Sequence, residues 1–283
     1  MHTAIITTFL AALAALISPP AVGQPAPARI VSINLCADEL LLALANPGQI
    51  VALSPYAADP ALSFMAEEAR AFRHDAAEAE TVVDLDPDLV LAGRFTRLAT
   101  REMLTRLGYR VVLLDPARSV DDSIAQIRQV AEAVGHPGRA DSLIRQIEAA
   151  RVRGWVSAAA EPVPTAAVYQ RRGYVTGGAT LTGELLSIAG FRNLGDVLAG
   201  ERGGFVRLEA LIAGQPDYLV VAARETPVED QGAALLAHPA LAARYPAERR
   251  IVLPERLTVC GGPSLPDAID WLAAEARRVR SAP

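Results

Sequence analysis

Glu80-Thr-Val-Val-Asp-Leu-Asp-Pro87-Asp88-Leu-Val-Leu-Ala92 has a counterpart 129 positions later, Glu209-Ala-Leu-Ile-Ala-Gly-Gln-Pro216-Asp217-Tyr-Leu-Val-Val221. In both copies a Glu precedes a Pro-Asp pair by the same interval, a short helical turn ends at the Pro, and an apolar β-run follows. Pro disfavours the α region for the residue ahead of it, so the first turn stops near Asp86 and Asp88 opens the next strand. Leu211 and Ile212 play the same part before Gln215. A corner used twice at this distance implies two similar lobes and not a solenoid. The corner leaves its Glu unexplained. A carboxylate at a helix start gains about 0.3–1 kcal/mol from the helix dipole, while two copies at matching positions suit a shared external role.

Working outward, Arg29-Ile-Val-Ser-Ile33, Ile50-Val-Ala-Leu-Ser54, Asp88-Leu-Val-Leu-Ala92 and Arg110-Val-Val-Leu-Leu114 read as strands. Between them lie helical spacings such as Leu40, Leu41, Leu44 and Leu98, Met103, Leu104, Leu107. Continuous apolar strands between helices imply parallel pairing with both sheet faces covered. Ser119, with Asp122 three residues on, starts a helix through Val134, which Gly135-His-Pro137-Gly138 ends. A second helix over about Arg139 to Ala159 carries Leu143, Ile144, Ile147, Ala150 and Trp155 at helical spacing. Roughly 20 residues at about 1.5 Å each give a rod on the order of 30 Å, long enough to join two lobes. Trp155 and Trp271 read as core or helix-packing residues. After Glu161-Pro162-Val-Pro164 a second α/β series begins. Its strands are Ala166 to Tyr169, Tyr218 to Val221 and Arg250 to Leu253, and its helices are Leu181 to Ala189, Leu208 to Ile212 and Pro266 to Arg277.

A chain of 283 residues, 51% of them hydrophobic, can bury a sizeable core. The formal charge of −5 offers no basic field for nucleic acid, and all 27 basic residues are Arg, a bias of composition more than of chemistry. Ile5 to Ile17 is an apolar run too short to span a bilayer, followed by small residues around Ser18-Pro-Pro-Ala21-Val-Gly23 where a signal peptidase would cut. Residues 1–23 therefore read as a signal peptide, with an uncleaved anchor as the alternative because the n-region lacks Arg and Lys. The expected location is outside the cytoplasm.

Enzyme signatures are missing. The sequence has no Gly-x-Gly-x-x-Gly, P-loop, Gly-x-Ser-x-Gly or His-Glu-x-x-His. His74, His136 and His238 fall in loops and do not form a strand-end set for a bare metal ion. No catalytic residue, cofactor or bare metal is expected. Cys36 and Cys260 are the two cysteines. In an oxidising compartment an isolated pair reads as a disulfide, with free thiols or soft metal ligands as the other readings.

Arg29-Ile-Val-Ser, Ser54-Pro-Tyr56, both Glu…Pro-Asp corners, the long central helix, Thr176-Gly177-Gly178 and Ala189-Gly190-Phe-Arg-Asn193 together resemble the periplasmic solute-binding proteins of ABC importers for vitamin B12, ferric siderophores and haem. The likeness covers nearly all of the chain beyond the leader. It implies two Rossmann-like lobes with parallel sheets joined by one long helix: a lobe over 29–136, a linking helix over 137–160 and a second lobe over 161–283. It also implies a monomer that docks on a permease dimer through one surface Glu per lobe, here Glu80 and Glu209.

The ligand of such proteins sits between the lobes against loops at strand C-termini. The positions here are Asn34, Leu35, Tyr56, Arg94, Phe95, Gln170, Arg171, Arg172, Tyr174, Phe205, Arg256, Gly261 and Gly262. Aromatic rings suit a macrocycle or catechol, and Arg forks suit carboxylates. In this fold Cys36 and Cys260 both face that cleft. The expected cargo is a metal chelate, and the alternative is an extracytoplasmic thiol-redox or chaperone-like protein using the two cysteines.

Overall fold

The computed structural model describes residues 25–223 and 235–281, so the signal-peptide segment lies outside the described residues. The first half alternates β1 (Ile30–Ser32), α1 (Leu35–Leu44), β2 (Ile50–Ala52), α2 (Ala66–Ala69), α3 (Ala79–Asp84), β3 (Leu89–Gly93), α4 (Leu98–Arg106) and β4 (Val111–Leu114). Its sheet is parallel throughout, in the order β2-β1-β3-β4. Then come α5 (Val120–Ala133) and α6 (Pro137–Ala158).

The second half holds β5 (Thr165–Val168), β6 (Tyr174–Val175), α7 (Leu181–Ala189), β7 (Arg192–Asn193), α8 (Gly195–Ala199), β8 (Gly204–Phe205) and α9 (Leu208–Gly214). It continues with β9 (Tyr218–Ala223), α10 (Pro239–Arg244), β10 (Arg250–Pro254) and α11 (Leu265–Arg280). Its main sheet, β10-β9-β5-β7, is again parallel, and β6 pairs β8 antiparallel beside it. The fold is two α/β lobes joined by one long helix, as the resemblance implies.

The repeated corner has the same conformation in both copies. Asp86 and Gln215, each just before its proline, adopt left-handed backbones with φ of 42° and 48°. The Pro-Asp aspartates then tie the corner to the strand next door. Asp88 Oδ2 accepts the backbone N–H groups of Ala28 at 2.8 Å and Arg29 at 2.9 Å, at the mouth of β1. Asp217 Oδ2 accepts the N–H of Thr165 at 2.8 Å and its hydroxyl at 2.6 Å, at the mouth of β5. Each aspartate thus satisfies donors that the sheet ladder leaves over.

Helix α5 starts where expected, with Ser119 Oγ accepting the Asp122 N–H at 3.0 Å. Helix α6 begins two residues earlier than its periodicity suggests, because Pro137 needs no N–H partner in a first turn. Its 22 residues span about 33 Å. Trp155 departs from the expected packing role. It is 52% exposed, and the Arg151 guanidinium stacks over its ring at 5.4 Å. Its helical spacing falls on a face of α6 that nothing covers, since Val152 and Val156 beside it are exposed too. Trp271 does pack, against the main core.

That core is shared between the lobes. Ile30, Leu89 and Leu91 of the first sheet, Ile127 of α5, Ile147 of α6, Leu185 of α7, Val220 and Ile251 of the second sheet and Leu272 of α11 form one contiguous cluster. Separate clusters cover the outer face of each sheet. Rotating one lobe away from the other would break a continuous apolar body, so any hinge motion is small.

Candidate functional site

Which ends of the two sheets face each other is decided by the cysteines. Cys36 follows β1 and Cys260 follows β10, and the two form a disulfide with Cα atoms 5.2 Å apart. The C-terminal edges of the first and second sheets therefore meet. The loop carrying Cys260 seats itself in lobe one. A Cβ on Gly261 would lie 2.7 Å from Ser123 Oγ, and one on Gly262, whose φ is +94°, would lie 2.9 Å from Leu40 Cδ2. Gly261 and Gly262 thus have a packing task between the lobes. No free cysteine is left for thiol chemistry among the described residues.

A second contact between the lobes is polar, and the sequence reading missed it. Glu184 of α7 accepts the backbone N–H of Val120, the first residue of α5, at 2.8 Å. Arg151 of α6 stands among Asp121 at 2.9 Å, Glu148 at 3.2 Å and Glu184 at 3.7 Å. These residues come from three helices, and no single periodicity signals their meeting.

The other candidates lie after β1, β2 and β3 of the first lobe, and after β5 and β10 and on β6 and β8 of the second. Asn34 caps α1, its Oδ1 accepting from Cys36 N at 3.1 Å and Ala37 N at 3.3 Å, and Leu35 beside it is half-buried. The Asn34 amide lies against Gly93, where a Cβ would come within 2.6 Å of Nδ2. Tyr56 is 59% exposed on the segment after β2, and Phe95 is 86% exposed after β3. Arg94 is paired with Asp115, whose carboxyl that hydrogen bond holds below its ordinary range.

Arg94 and Phe95 open onto a groove of about 630 Å³ that continues past Asp115, Arg118 and Gln126. The signal for that extension was available. Asp115-Pro116 follows β4 as Arg94-Phe95 follows β3.

On the other lobe Gln170, Arg171 and Arg172 follow β5, with Arg172 in a left-handed turn at φ 60°. Gln170 Nε2 donates to Thr176 Oγ1 at 3.2 Å. Tyr174 donates its hydroxyl to the Arg202 carbonyl at 2.9 Å and meets Phe205 edge to face at 5.5 Å. Phe205 itself is 75% exposed. Arg256 lies in the turn after β10.

Glu80 and Glu209 are each the second residue of their helices, α3 and α9, and both are exposed. Glu209 lies 3.5 Å from Arg207. Among the described residues no group of three or more His, Cys, Asp or Glu could hold a metal ion, and none of their helices is long and apolar enough to cross a membrane.

A model of the periplasmic binding protein family matches residues 30–250. The chain belongs to this family. Among curated relatives it is similar to the cobalamin-binding protein of Halobacterium salinarum, at 25% identity over 219 residues that make up 75% of this chain. The aligned stretch is 58% of that relative's length. Among solved structures it is similar to the periplasmic heme-binding protein RhuT from Roseiflexus sp. RS-1, with a TM-score of 0.70 and 24% identity over 89% of this chain and 97% of that one. It is also similar to the vitamin B12 binding protein BtuF of Vibrio cholerae, with a TM-score of 0.66 and 18% identity over 90% and 99%. At these identities the structural likeness is one of fold.

Proposed function

We propose that this periplasmic binding protein captures a metal chelate between its lobes and delivers it to the membrane permease dimer of an ABC importer. The chelate classes are corrinoids, ferric siderophores and haem. The observation that carries the reading is the meeting of the two sheet edges at the Cys36–Cys260 bridge, with exposed aromatic side chains on both lobes, Tyr56 and Phe95 after strands of the first and Phe205 on the β6–β8 pair of the second. Exposed rings cost free energy in the empty state and gain it against a flat, partly apolar ligand. The names of the similar proteins, for cobalamin and heme, point to the same chemical class. In this reading residues 29–136 form one wall, 161–283 the other and 137–160 the strut. The protein acts as a monomer in the periplasm after loss of residues 1–23, and Glu80 and Glu209 contact the permease.

Native mass spectrometry of the purified chain against cyanocobalamin, haemin and a panel of ferric siderophores tests the proposal. A one-to-one complex with a single class, at micromolar concentration or below, is the expected result. Failure to bind any of them, with a folded protein, overturns it.

A further inference from the structure

Two neighbouring residues of α1, Asp38 and Glu39, have side chains with no solvent exposure. Both reach into the same piece of chain. Asp38 Oδ1 accepts the backbone N–H of Ser54 at 3.0 Å, and the Ser54 hydroxyl donates to Asp38 Oδ2. Glu39 Oε1 accepts the backbone N–H of Phe64 at 2.8 Å, leaving its Oε2 buried without a hydrogen-bond partner. Ser54 and Phe64 are the two ends of the segment that follows β2, and this segment carries Tyr56.

The segment contains neither strand nor α-helix. Inside it the backbone closes only local turns, Ala57 N to the Ser54 carbonyl, Asp59 N to the Tyr56 carbonyl, and Leu62 N and Ser63 N to the Asp59 carbonyl. Such turns do not fix where the segment sits relative to the sheet. Two buried carboxyls are a costly way to fill a core, and desolvation drives both toward the neutral acid, with pKa values raised to about 7 for Asp38 and about 8 for Glu39. Each neutral acid still presents a carbonyl oxygen that accepts a backbone N–H. What this arrangement supplies that an apolar pair could not is two anchor points, one at each end of the same segment.

We propose that Asp38 and Glu39 are positioning residues for the ligand site: a two-point clamp that fixes the Ser54–Phe64 segment and so sets the Tyr56 ring in the wall of the cleft. The inference rests on reading the cleft as the ligand site.

The test uses the full secreted chain and the variants Glu39→Ala, Glu39→Gln and Ser54→Ala, the last a milder cut should Glu39→Ala fail to fold. Hydrogen exchange is followed on the ligand-free protein. Opening the clamp should speed exchange of the Phe64 amide in Glu39→Ala by about fivefold, the equivalent of one hydrogen bond to a neutral acceptor, and to a smaller extent that of the residue-54 amide in Ser54→Ala, which loses the hydroxyl bond while its N–H keeps Asp38 Oδ1. Amides of β1 and β3 should keep the wild-type rate, and Glu39→Gln, whose side-chain oxygen can still accept from Phe64, should restore most of the protection.

Affinity for haemin and cyanocobalamin is then measured. For whichever the wild type binds, Glu39→Ala and Tyr56→Ala should weaken binding by similar factors, and the double variant should lose little more than either. Unchanged exchange at Ser54 and Phe64, or fully additive losses, overturns the clamp. A wild type that binds neither of these probes nor any of the ferric siderophores but shows the exchange pattern keeps the clamp and removes the reading of the cleft instead.

Discussion

Cys36 and Cys260 stand 224 positions apart in sequence and 5.2 Å apart at their Cα atoms, on opposite lobes and each just beyond a strand's C-terminal end. The pair closes a loop almost as long as the described chain. On the chain-entropy account such a bridge stabilises by up to about 5 kcal/mol through the unfolded state. The bridge also joins lobes that already share a core, so its mechanical effect is to add a covalent stop to a motion that packing opposes.

Reduction, or the double substitution Cys36→Ser with Cys260→Ser, should lower the free energy of unfolding by about 2–5 kcal/mol in urea and widen the range of lobe separations in solution scattering. A loss of stability below about 1 kcal/mol, with an unchanged scattering profile, would mean that the shared core alone sets the geometry.

The contribution of Arg94 to an anionic ligand should be tempered by its neighbour. Arg94 is already engaged by Asp115, so the pair is locally neutral and an incoming carboxylate must compete with one in place. Replacing Arg171 and Arg172 together should weaken an anionic chelate by about tenfold or more for each charged hydrogen bond lost, and Arg94→Ala should cost less than the full value of the hydrogen bonds it makes to the ligand. Removing Asp115 should free Arg94 and tighten binding. Isothermal titration of the three variants measures this, and a larger loss at Arg94 than at Arg171 and Arg172 would place the anionic group of the ligand on lobe one.

Glu80 and Glu209 share a position in equivalent short helices and stand exposed. Reversing both charges should leave chelate affinity within about twofold, since exposed charges are screened by salt. It should also abolish stimulation of the importer's ATPase in reconstituted vesicles. A double variant that still stimulates turnover would assign docking to other residues.

The repeat, the strand positions, the long helix and the two cysteines were legible because each is a local pattern: an apolar run, a Pro-Asp pair, a helical spacing. What escaped notice depends on side chains from separate elements. Arg151 meets acids of α5 and α7, and Asp38 with Glu39 reads on paper as a polar interruption at the start of an amphipathic helix. Trp155 shows the converse failure. Periodicity gives the face of a helix a residue shares, and only tertiary structure says whether anything lies against that face. The aspartates of the corners were similarly read as strand starts, while their work is done on the neighbouring strand.

Asp38 and Glu39 also give the fold an unusual pH dependence. Burial raises their pKa values to about 7 and about 8, from ordinary values of 3.8 and 4.5. Between those limits the folded chain holds protons that the unfolded chain has released, so stability falls as pH rises. The contribution is fully present below about pH 4 and lost progressively up to about pH 8. Asp38→Asn with Glu39→Gln should flatten that slope. Chemical denaturation of both proteins from pH 5 to pH 9 measures it, and parallel slopes would show that the two carboxyls ionise normally in the fold.

Asp88 and Asp217 do the same job in different surroundings, which makes their comparison informative. Each accepts two donors at the mouth of the adjacent strand. Around Asp88 the donors belong to exposed residues, Ala28 and Arg29, and water can replace a lost carboxylate. Asp217 serves Thr165, which is buried, and the Thr165 hydroxyl in turn donates to Asp217 Oδ2 while accepting the Asp217 N–H at 2.9 Å. Removing that carboxylate strands a buried N–H and a buried hydroxyl, at about 1–3 kcal/mol for the unsatisfied groups. Asp217→Ala should therefore cost about 2 kcal/mol more than Asp88→Ala in urea unfolding, although both sit at the same point of the repeat. Asp217→Asn, which keeps one acceptor oxygen, should recover part of the difference. Equal losses at the two sites would show that the corner is held by its left-handed turn and its proline, with the aspartate contributing only locally.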